Sequence, residues 1–289
     1  MCGIAGVFDL KGQRAIAPSM VQAMTHALTH RGPDDCGFFH EAGVGLGHRR
    51  LSIIDLAGGH QPLFNEDETV CVVFNGEIYN FGELTDTLTA RGHRFQTRSD
   101  TEVIVHAWEE WGEACVDQFR GMFAFAVHDL NSGRLFLARD RLGIKPLYHA
   151  TTSDGLFLFG SELKALLTVP SLDRRFDPRS IEDFFALGYV PDPRSIYQDV
   201  SKLPPGHTLT LQHGADRVAP KRYWQPQFQA DYDGPAASLG DDLIDRLGEA
   251  VRLRMIADVP LGAFLSGGVD SSAVVALMAR AQDEPVNTC

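Results

Sequence analysis

Short apolar runs dominate the first two thirds of the chain and are separated by polar and glycine-containing stretches. Their length, together with their β-branched and aromatic side chains, predicts β-strands. The predicted strands are Ile4–Phe8, Val44–Gly47, Val70–Phe74, Met122–Val127, Leu135–Ala138 and Leu156–Phe159. Asn131-Ser132-Gly133 lies between two of these runs, which predicts a hairpin over Met122–Ala138.

Two segments among these strands follow a helical pattern instead. Pro18–Leu28 and Thr101–Trp111 place apolar residues three and four positions apart, as expected for helices with one buried face. Strands joined by hairpins, with helices interspersed, favour antiparallel sheets in layers that are covered by helices.

The pattern changes after about residue 210. Gln212–Pro235 is polar, irregular and interrupted by proline, which predicts a linker. Ser238–Ile256 carries an apolar stripe typical of a helix. It is followed by a short buried strand at Leu261–Leu265, the loop Ser266–Ser272 and a second helix at Ala273–Ala281. A strand, a glycine loop and a helix in this order open a parallel α/β domain, and because one such unit cannot cover a sheet, we expect the sequence to be a fragment.

Composition narrows the class of protein. Of 289 residues, 44% are hydrophobic and 22% are charged, which is typical of a globular, soluble chain. A net charge of −12 repels phosphate backbones and argues against a nucleic-acid partner. No apolar run approaches the roughly 20 residues that a membrane span needs. The five cysteines are widely spaced, which together with the absence of a basic leader favours the reducing cytoplasm.

Cys2 is the first candidate for chemistry. A thiol needs a base to become a good nucleophile, and an N-terminal residue carries one in its α-amine, which titrates near pH ~7.7–8.0. Cysteine is small, which favours removal of Met1, and Gly3 allows close backbone approach to a substrate. Taken alone, Cys2 is better explained as an incidental residue near the start of the chain.

Three further stretches offer the groups that an amino-acid amide requires. Arg50 can hold an α-carboxylate, and Glu77 or Asp100 can hold an α-ammonium group. Asn75 and Gly76 can supply side-chain and backbone N–H donors to an oxyanion. Each group also has an ordinary explanation: a solvated arginine, an Asn-Gly turn, or an aspartate that caps a helix.

Together, the motifs resemble those of class II glutamine amidotransferases, and most closely those of glutamine-hydrolysing asparagine synthetases. The resemblance covers essentially the whole chain, in the expected order. It rests on Cys2-Gly3-Ile4, His30-Arg31-Gly32-Pro33-Asp34, Gly47-His48-Arg49-Arg50-Leu51-Ser52-Ile53, Phe74-Asn75-Gly76-Glu77-Ile78-Tyr79-Asn80, Ser99-Asp100-Thr101-Glu102 and Arg139-Asp140-Arg141-Leu142-Gly143-Ile144-Lys145-Pro146-Leu147-Tyr148.

This resemblance implies an α+β fold, the αββα sandwich of N-terminal-nucleophile enzymes, over residues 2–211. It makes Cys2 the nucleophile and Arg50 the residue that binds the glutamine carboxylate. Asn75 and Gly76 would form the oxyanion hole, and Glu77 and Asp100 would hold the α-ammonium group. The backbone of four further residues would line the pocket: Leu51, Ser52, Ile53 and Ile54.

The glycine loop is a weaker signal by itself. It lacks the Gly-Lys-Ser/Thr ending of a Walker A loop, but backbone N–H groups at a helix start can bind an anion. After a strand, it resembles the pyrophosphate loop of ATP pyrophosphatases, in which Asp270 would help to hold magnesium pyrophosphate. Residues 236–289 would then be the start of an ATP-binding domain, with Mg2+ and ATP bound through Leu265, Ser266, Gly267, Gly268, Val269, Asp270 and Ser271.

The prediction is therefore a glutamine-dependent ligase that releases ammonia from glutamine, without a cofactor for this step, and uses ATP to amidate aspartate. A homodimer is the expectation for its assembly. One alternative is a related amidotransferase with another acceptor, associated with exopolysaccharide or exosortase systems. Another is a truncated, non-catalytic glutamine-binding product. Phosphosugar and purine amidotransferases share the first domain, but the Ser266–Ser272 loop argues against both.

Overall fold

The computed structural model describes residues 1–12, 14–215, 218–228 and 234–289. The chain divides into two compact units, Met1–Gln225 and Pro226–Cys289. None of the helices in the described ranges has the length and apolar composition that a membrane crossing requires.

The first unit is built on two antiparallel sheets. One has six strands in the order β10-β8-β9-β1-β3-β2 and the other six in the order β12-β11-β7-β6-β5-β4. In chain order the strands are β1 Gly3–Asp9, β2 Asp35–Glu41, β3 Val44–Arg50, β4 Leu63–Phe64, β5 Val70–Ile78, β6 Gly121–Asp129, β7 Arg134–Arg139, β8 Tyr148–Thr151, β9 Leu156–Gly160, β10 Val200–Lys202, β11 His207–Leu211 and β12 Lys221–Arg222.

Helices cover the outer faces of both sheets. The helices of this unit are α1 Pro18–His26, α2 Phe81–Ala90, α3 Glu102–Trp111, α4 Cys115–Gln118, α5 Leu163–Leu166 and α6 Pro178–Leu187, with a 3-10 turn at Gly112–Ala114. Helices α1 and α5 pack with the β1 sheet, whereas α2 and α3 pack with the β5 sheet. The layers therefore follow the order helix, sheet, sheet, helix.

The hydrophobic core lies in three layers that match this order. Between the sheets, side chains alternate inward from both, including Phe8 and Leu46 from one sheet and Val73 and Leu137 from the other. Alternation along a strand sends the neighbouring residues to the opposite face, where they meet the helices. Burial on both faces explains why β1 as far as Phe8, β3 as far as Gly47 and β5 as far as Phe74 consist of apolar residues and glycine.

The second unit contains two helices and two short strands, in the order α7 Ala236–Leu253, β13 Gly262–Ala263, α8 Val269–Ala281 and β14 Asn287–Thr288. Strands β13 and β14 pair in parallel, with Gly262 opposite Asn287. A parallel pair that is connected through a helix is the repeating element of α/β domains. The predicted order of strand, loop and helix is therefore confirmed. The predicted burial of Leu261–Leu265 is wrong, because these residues are half-buried or exposed, and α8 begins at Val269, inside the predicted loop.

The sandwich and the six predicted strands are confirmed, although most of these strands extend beyond the predicted ends. Both predicted helices of the first unit are present. The strands that sequence analysis missed are short or polar, such as β2, whose residues are all half-buried or exposed. The predicted linker 212–235 contains β12, which pairs with β11 within the first unit, while residues 216–217 and 229–233 of that range lie outside the described residues.

Candidate active site

Cys2 lies at the entrance to β1, where the sheet brings it beside the end of β3. The Leu51 N–H donates to Cys2 Sγ at 3.4 Å, and Arg31 Nε donates to the Cys2 carbonyl at 2.8 Å. Burial raises the pKa of the Cys2 thiol above its ordinary range. The thiol is therefore fixed in position but protonated at neutral pH, so that it needs a base to react.

Arg50 ends β3 and holds the loop that follows it. Its guanidinium group donates to the carbonyls of Ile54, Asp55 and Leu56 at 3.1, 2.6 and 3.2 Å. Gly59 packs so closely that a Cβ there would lie 2.4 Å from Arg50 Nη2. This backbone cage fixes a nearly buried guanidinium group at the wall of the cleft that contains Cys2.

Asn75 and Gly76 lie inside β5, so the alternative of an Asn-Gly turn is wrong. The Asn75 side chain is fully buried, yet neither Oδ1 nor Nδ2 has a hydrogen-bond partner among the described residues. A buried amide without partners costs about 1–3 kcal/mol, which is tolerated where a ligand completes the site. At Gly76 a Cβ would lie 2.2 Å from the Met122 carbonyl, so only glycine fits this position.

Asp100 precedes α3 and lies opposite Glu77 across the cleft wall. It does not cap the helix, because Thr101 holds the cap position and the Asp100 carboxylate accepts from the Ile78 N–H at 2.9 Å. Burial, reinforced by the charge of Glu77, raises the pKa of Asp100 to about 7. Two acidic groups in a buried wall attract a cationic group, and its binding would favour the ionised form of Asp100.

These side chains line one cleft with a volume of about 160 Å3, below the roughly 300–1,000 Å3 typical of drug-sized ligands. Every residue predicted to bind glutamine lines it except Ser52, whose N–H donates to Asp34 at 2.8 Å. The predicted residues in the wall are Cys2, Arg50, Leu51, Ile53, Ile54, Asn75, Gly76, Glu77 and Asp100.

Sequence analysis did not assign four polar residues that line the cleft: Gln61, Ser99, Thr101 and Lys145. Burial lowers the pKa of Lys145, whose charge interacts with both Cys2 and Glu77. Gln61 accepts from the Phe74 N–H at 2.7 Å and donates to Thr101 Oγ1 at 3.3 Å, which ties β5 to the start of α3. Lys145 belongs to the motif Arg139–Tyr148, but the sequence of this motif does not indicate that the residue faces the cleft.

The predicted ATP loop of the second unit is exposed. Leu265 N donates to the Cys289 carbonyl at 2.8 Å, which places the loop at the end of β13. Gly267 has a φ of +80°, and Ser266 Oγ lies 3.1 Å from Ser271 Oγ. Val269 and Asp270 begin α8, so that the loop leads directly into the N-terminus of this helix, as an anion-binding loop would.

Comparisons with known proteins agree with this division. A family model described as a glutamine amidotransferase domain matches residues 1–224, and one described as asparagine synthase matches residues 242–289. The chain is 40% identical to the glutamine-hydrolysing asparagine synthetase 1 of Bacillus subtilis, over 96% of this chain and 44% of that protein. It is 37% identical to asparagine synthetase 2 of rice, over 97% of this chain and 42% of that protein. The chain therefore spans about half the length of the curated relatives that it matches.

A solved structure supports the fold. The glutamine phosphoribosylpyrophosphate amidotransferase of Bacillus subtilis, in complex with ADP and GMP, aligns with a TM-score of 0.55. The alignment covers 99% of this chain and 65% of that one, at 18% identity. At this identity the likeness concerns the fold alone.

Proposed function

Because the chain belongs to the glutamine amidotransferase domain family, we propose that its first unit hydrolyses glutamine with Cys2 as the nucleophile. The observation that carries the proposal is the Asn75 carboxamide, which is buried without a hydrogen-bond partner among the described residues, in the cleft that also contains Cys2 and Arg50. A donor held beside a nucleophile, with nothing else to bind, is what stabilisation of a developing oxyanion requires.

The cleft offers a counterpart for each group of glutamine. The Arg50 guanidinium group would bind the α-carboxylate through charge-assisted hydrogen bonds. Glu77 and Asp100 would hold the α-ammonium group, and Ile53 and Ile54 would cover the apolar stem. These contacts with the α-carbon end of glutamine would direct its side-chain amide toward Cys2, which lines the same cleft.

The reaction would begin with transfer of the Cys2 thiol proton to the α-amine that loss of Met1 exposes. The thiolate attacks the side-chain carbonyl carbon, and Asn75 Nδ2 with the Gly76 N–H stabilises the oxyanion. The amine then gives its proton to the leaving nitrogen, which departs as ammonia and leaves a glutamyl thioester. Attack by water on this thioester releases glutamate and restores the thiol.

Glutamate release by the purified chain tests this function. We expect Cys2→Ala to lose at least about 10³-fold in turnover, since the nucleophile has no substitute in the cleft. Cys36→Ala, which removes an exposed free thiol, is the matched control and should retain full activity. Intact mass establishes the state of Met1 in each sample. Equal activity in Cys2→Ala and the control would refute the mechanism, and folded, Met1-free protein without turnover would favour a non-catalytic glutamine-binding product.

For a protein with the full length of these relatives, we propose that the released ammonia serves the ATP-dependent amidation of aspartate. The names of the relatives favour this acceptor over an exopolysaccharide or exosortase substrate. Residues 265–271 would bind the phosphates of ATP, with Asp270 placed to contact a bound Mg2+. Aspartate-dependent release of pyrophosphate by the longer protein, tested against other carboxylates, would identify the acceptor.

A further inference from the structure

A second cluster of polar side chains lies in the first unit and takes no part in the proposed glutaminase reaction. Glu66, His93, His106 and Glu109 each direct one nitrogen or oxygen atom to a common point, and these four atoms all lie within 4.8 Å of one another. His106 is fully buried, whereas Glu109 reaches the surface. The cluster therefore opens toward solvent on one side and ends on a buried imidazole on the other.

Three separate segments bring these residues together. Glu66 lies in the turn between β4 and β5, and His93 follows the end of α2. His106 and Glu109 lie three residues apart on α3, which places them on one helix face. Such a junction of three chain segments is a common setting for a structural metal ion, because the ion replaces a larger hydrophobic contact.

The distances between the inward atoms suit a small cation. His106 Nδ1 lies 3.1 Å from Glu109 Oε2 and 3.3 Å from Glu66 Oε2, and His93 Nδ1 lies 3.6 Å from Glu109 Oε2. Ligands about 2.1 Å from a tetrahedral zinc ion are separated by roughly 3.4 Å. Glu66 Oε2 is buried and makes no hydrogen bond among the described residues, although it lies at ion-pair distance from His106.

Each carboxylate is held by its outward oxygen. Asn65 Nδ2 donates to Glu109 Oε1 at 2.8 Å, and the Arg94 N–H donates to Glu66 Oε1 at 3.3 Å. Asn65 is itself nearly fully buried, so its amide is a fixed donor. The inward oxygen of each carboxylate is left to face the cluster.

Each imidazole has a carboxylate behind it at ion-pair distance. His106 Nε2, which makes no hydrogen bond among the described residues, lies 3.5 Å from Glu102 Oε1, and His93 Nε2 lies 3.5 Å from Glu110 Oε2. The Glu102 carboxylate is fixed by the N–H groups of Gln96 and Thr97, both at 2.7 Å. A carboxylate behind an imidazole places the proton on the outer nitrogen and leaves the lone pair of the inner nitrogen for a metal.

We propose that Glu66, His93, His106 and Glu109 bind one zinc ion at a structural site. Two imidazole nitrogens and two carboxylate oxygens form a complete tetrahedral set, and the two carboxylates balance the charge of a divalent ion. His106 Nδ1 faces one oxygen of each carboxylate, at 3.3 Å for Glu66 and 3.1 Å for Glu109, as expected for atoms that share one ion.

The site has a structural consequence for the cleft. Asp100 precedes α3, and His106 lies about 9 Å further along the chain at 1.5 Å per helical residue. A zinc ion would connect α3 to the segment after α2 and to the turn before β5, the strand that carries Asn75. We therefore expect the ion to stabilise the elements behind the cleft and not to contact glutamine.

Metal titration of the chelator-treated chain tests the proposal. We expect one zinc ion per chain by calorimetry, a higher Tm with zinc, and an intense tetrahedral visible spectrum with Co2+ that lacks a thiolate charge-transfer band. The missing thiolate band separates this site from binding by Cys36 or Cys289, the exposed thiols. The proposal would be overturned if Co2+ gave no tetrahedral spectrum, or gave one only with thiolate bands.

Ligand substitutions provide the matched comparison. Glu66→Gln and His93→Asn should each weaken zinc binding by at least about tenfold, since changes to outer partners alone cost 10–100-fold. Glu83→Gln and His26→Asn change exposed residues outside the cluster and should bind zinc like the parent chain. Circular dichroism confirms folding of each variant. Unchanged affinity in folded Glu66→Gln would contradict the site even if His93→Asn failed to fold.

Discussion

The Cys2 cleft of the first unit and the Leu265–Ser271 loop of the second unit were both predicted to bind ligands, but they are built to different degrees. The cleft is formed by strand ends and a helix start whose side chains are fixed by buried hydrogen bonds. In the loop, Ser266 and Ser271 lie within hydrogen-bonding distance of each other and the surrounding residues are exposed. The groups of the cleft are therefore held in place by the fold, whereas those of the loop are exposed to solvent.

Part of the free-energy cost of arranging the binding groups of the cleft arises during folding. In the cleft, the fold has already isolated the Asn75 amide and raised the pKa of Asp100, at the expense of stability. Such preorganisation allows a ligand to gain the full strength of each contact. The loop stores no comparable strain, because its polar groups face solvent or one another.

The largest expected effect concerns Asn75. Asn75→Ala should lower the turnover number by about 10²–10³-fold, the usual loss for an oxyanion donor, measured as glutamate release. Because the amide has no partner in the unliganded cleft, the variant should lose little stability. Asn80→Ala is the matched control: its amide is satisfied by Arg120 and Gln118, so its loss should destabilise the unit by about 1–3 kcal/mol. A strongly destabilised Asn75→Ala would indicate a structural role and remove the contrast.

Asp100 gives the second test, through pH. Its carboxyl group is neutral below about pH 7 and ionised above it, and only the ionised form attracts the ammonium group of glutamine. Affinity should therefore rise with pH, by up to about tenfold per unit below pH 7, and level off above it. In Asp100→Asn this rise should disappear, with affinity about 10–100-fold weaker at pH 8.

Calorimetry with glutamine in a Cys2→Ala background measures this dependence without turnover. The difference in glutamine affinity between the protein with Asp100 and the Asp100→Asn variant reports on this carboxyl group alone. Other ionisable groups of the cleft, which include Glu77 and Lys145, are the same in both proteins. An identical pH dependence in both proteins would show that Asp100 does not hold the ammonium group.

The smallest expected effect compares one glycine from each region. Gly76→Ala places a Cβ against the Met122 carbonyl and should destabilise the first unit by about 1–3 kcal/mol, seen as a lower Tm. Gly267→Ala meets no atom within 4 Å, but its φ of +80° costs about 1–2 kcal/mol in the loop alone. The main unfolding transition should therefore shift only in Gly76→Ala. A comparable shift in Gly267→Ala would show that the loop is as constrained as the cleft.

Sequence patterns were most informative where burial and periodicity agree. The β6–β7 hairpin and the core strand β1 were predicted because both consist of apolar residues flanked by polar turns. Strand β2 was missed, because alternating partial exposure leaves no continuous apolar run. Among site residues, Cys2 and Asn75 were found through motifs, whereas Lys145 faces the cleft only because of the path of the chain after β7.

The sequence by itself determined the two-part organisation, the layered sandwich and the identity of most residues that meet in the cleft. These properties follow from apolar periodicity and short motifs, which are local. The tertiary structure decided that the Asn75 amide has no partner, that burial beside Glu77 moves the pKa of Asp100 to about 7, and that Glu66, His93, His106 and Glu109 converge. Each of these depends on groups far apart in the chain, because desolvation and lone-pair contacts arise only when distant segments pack together.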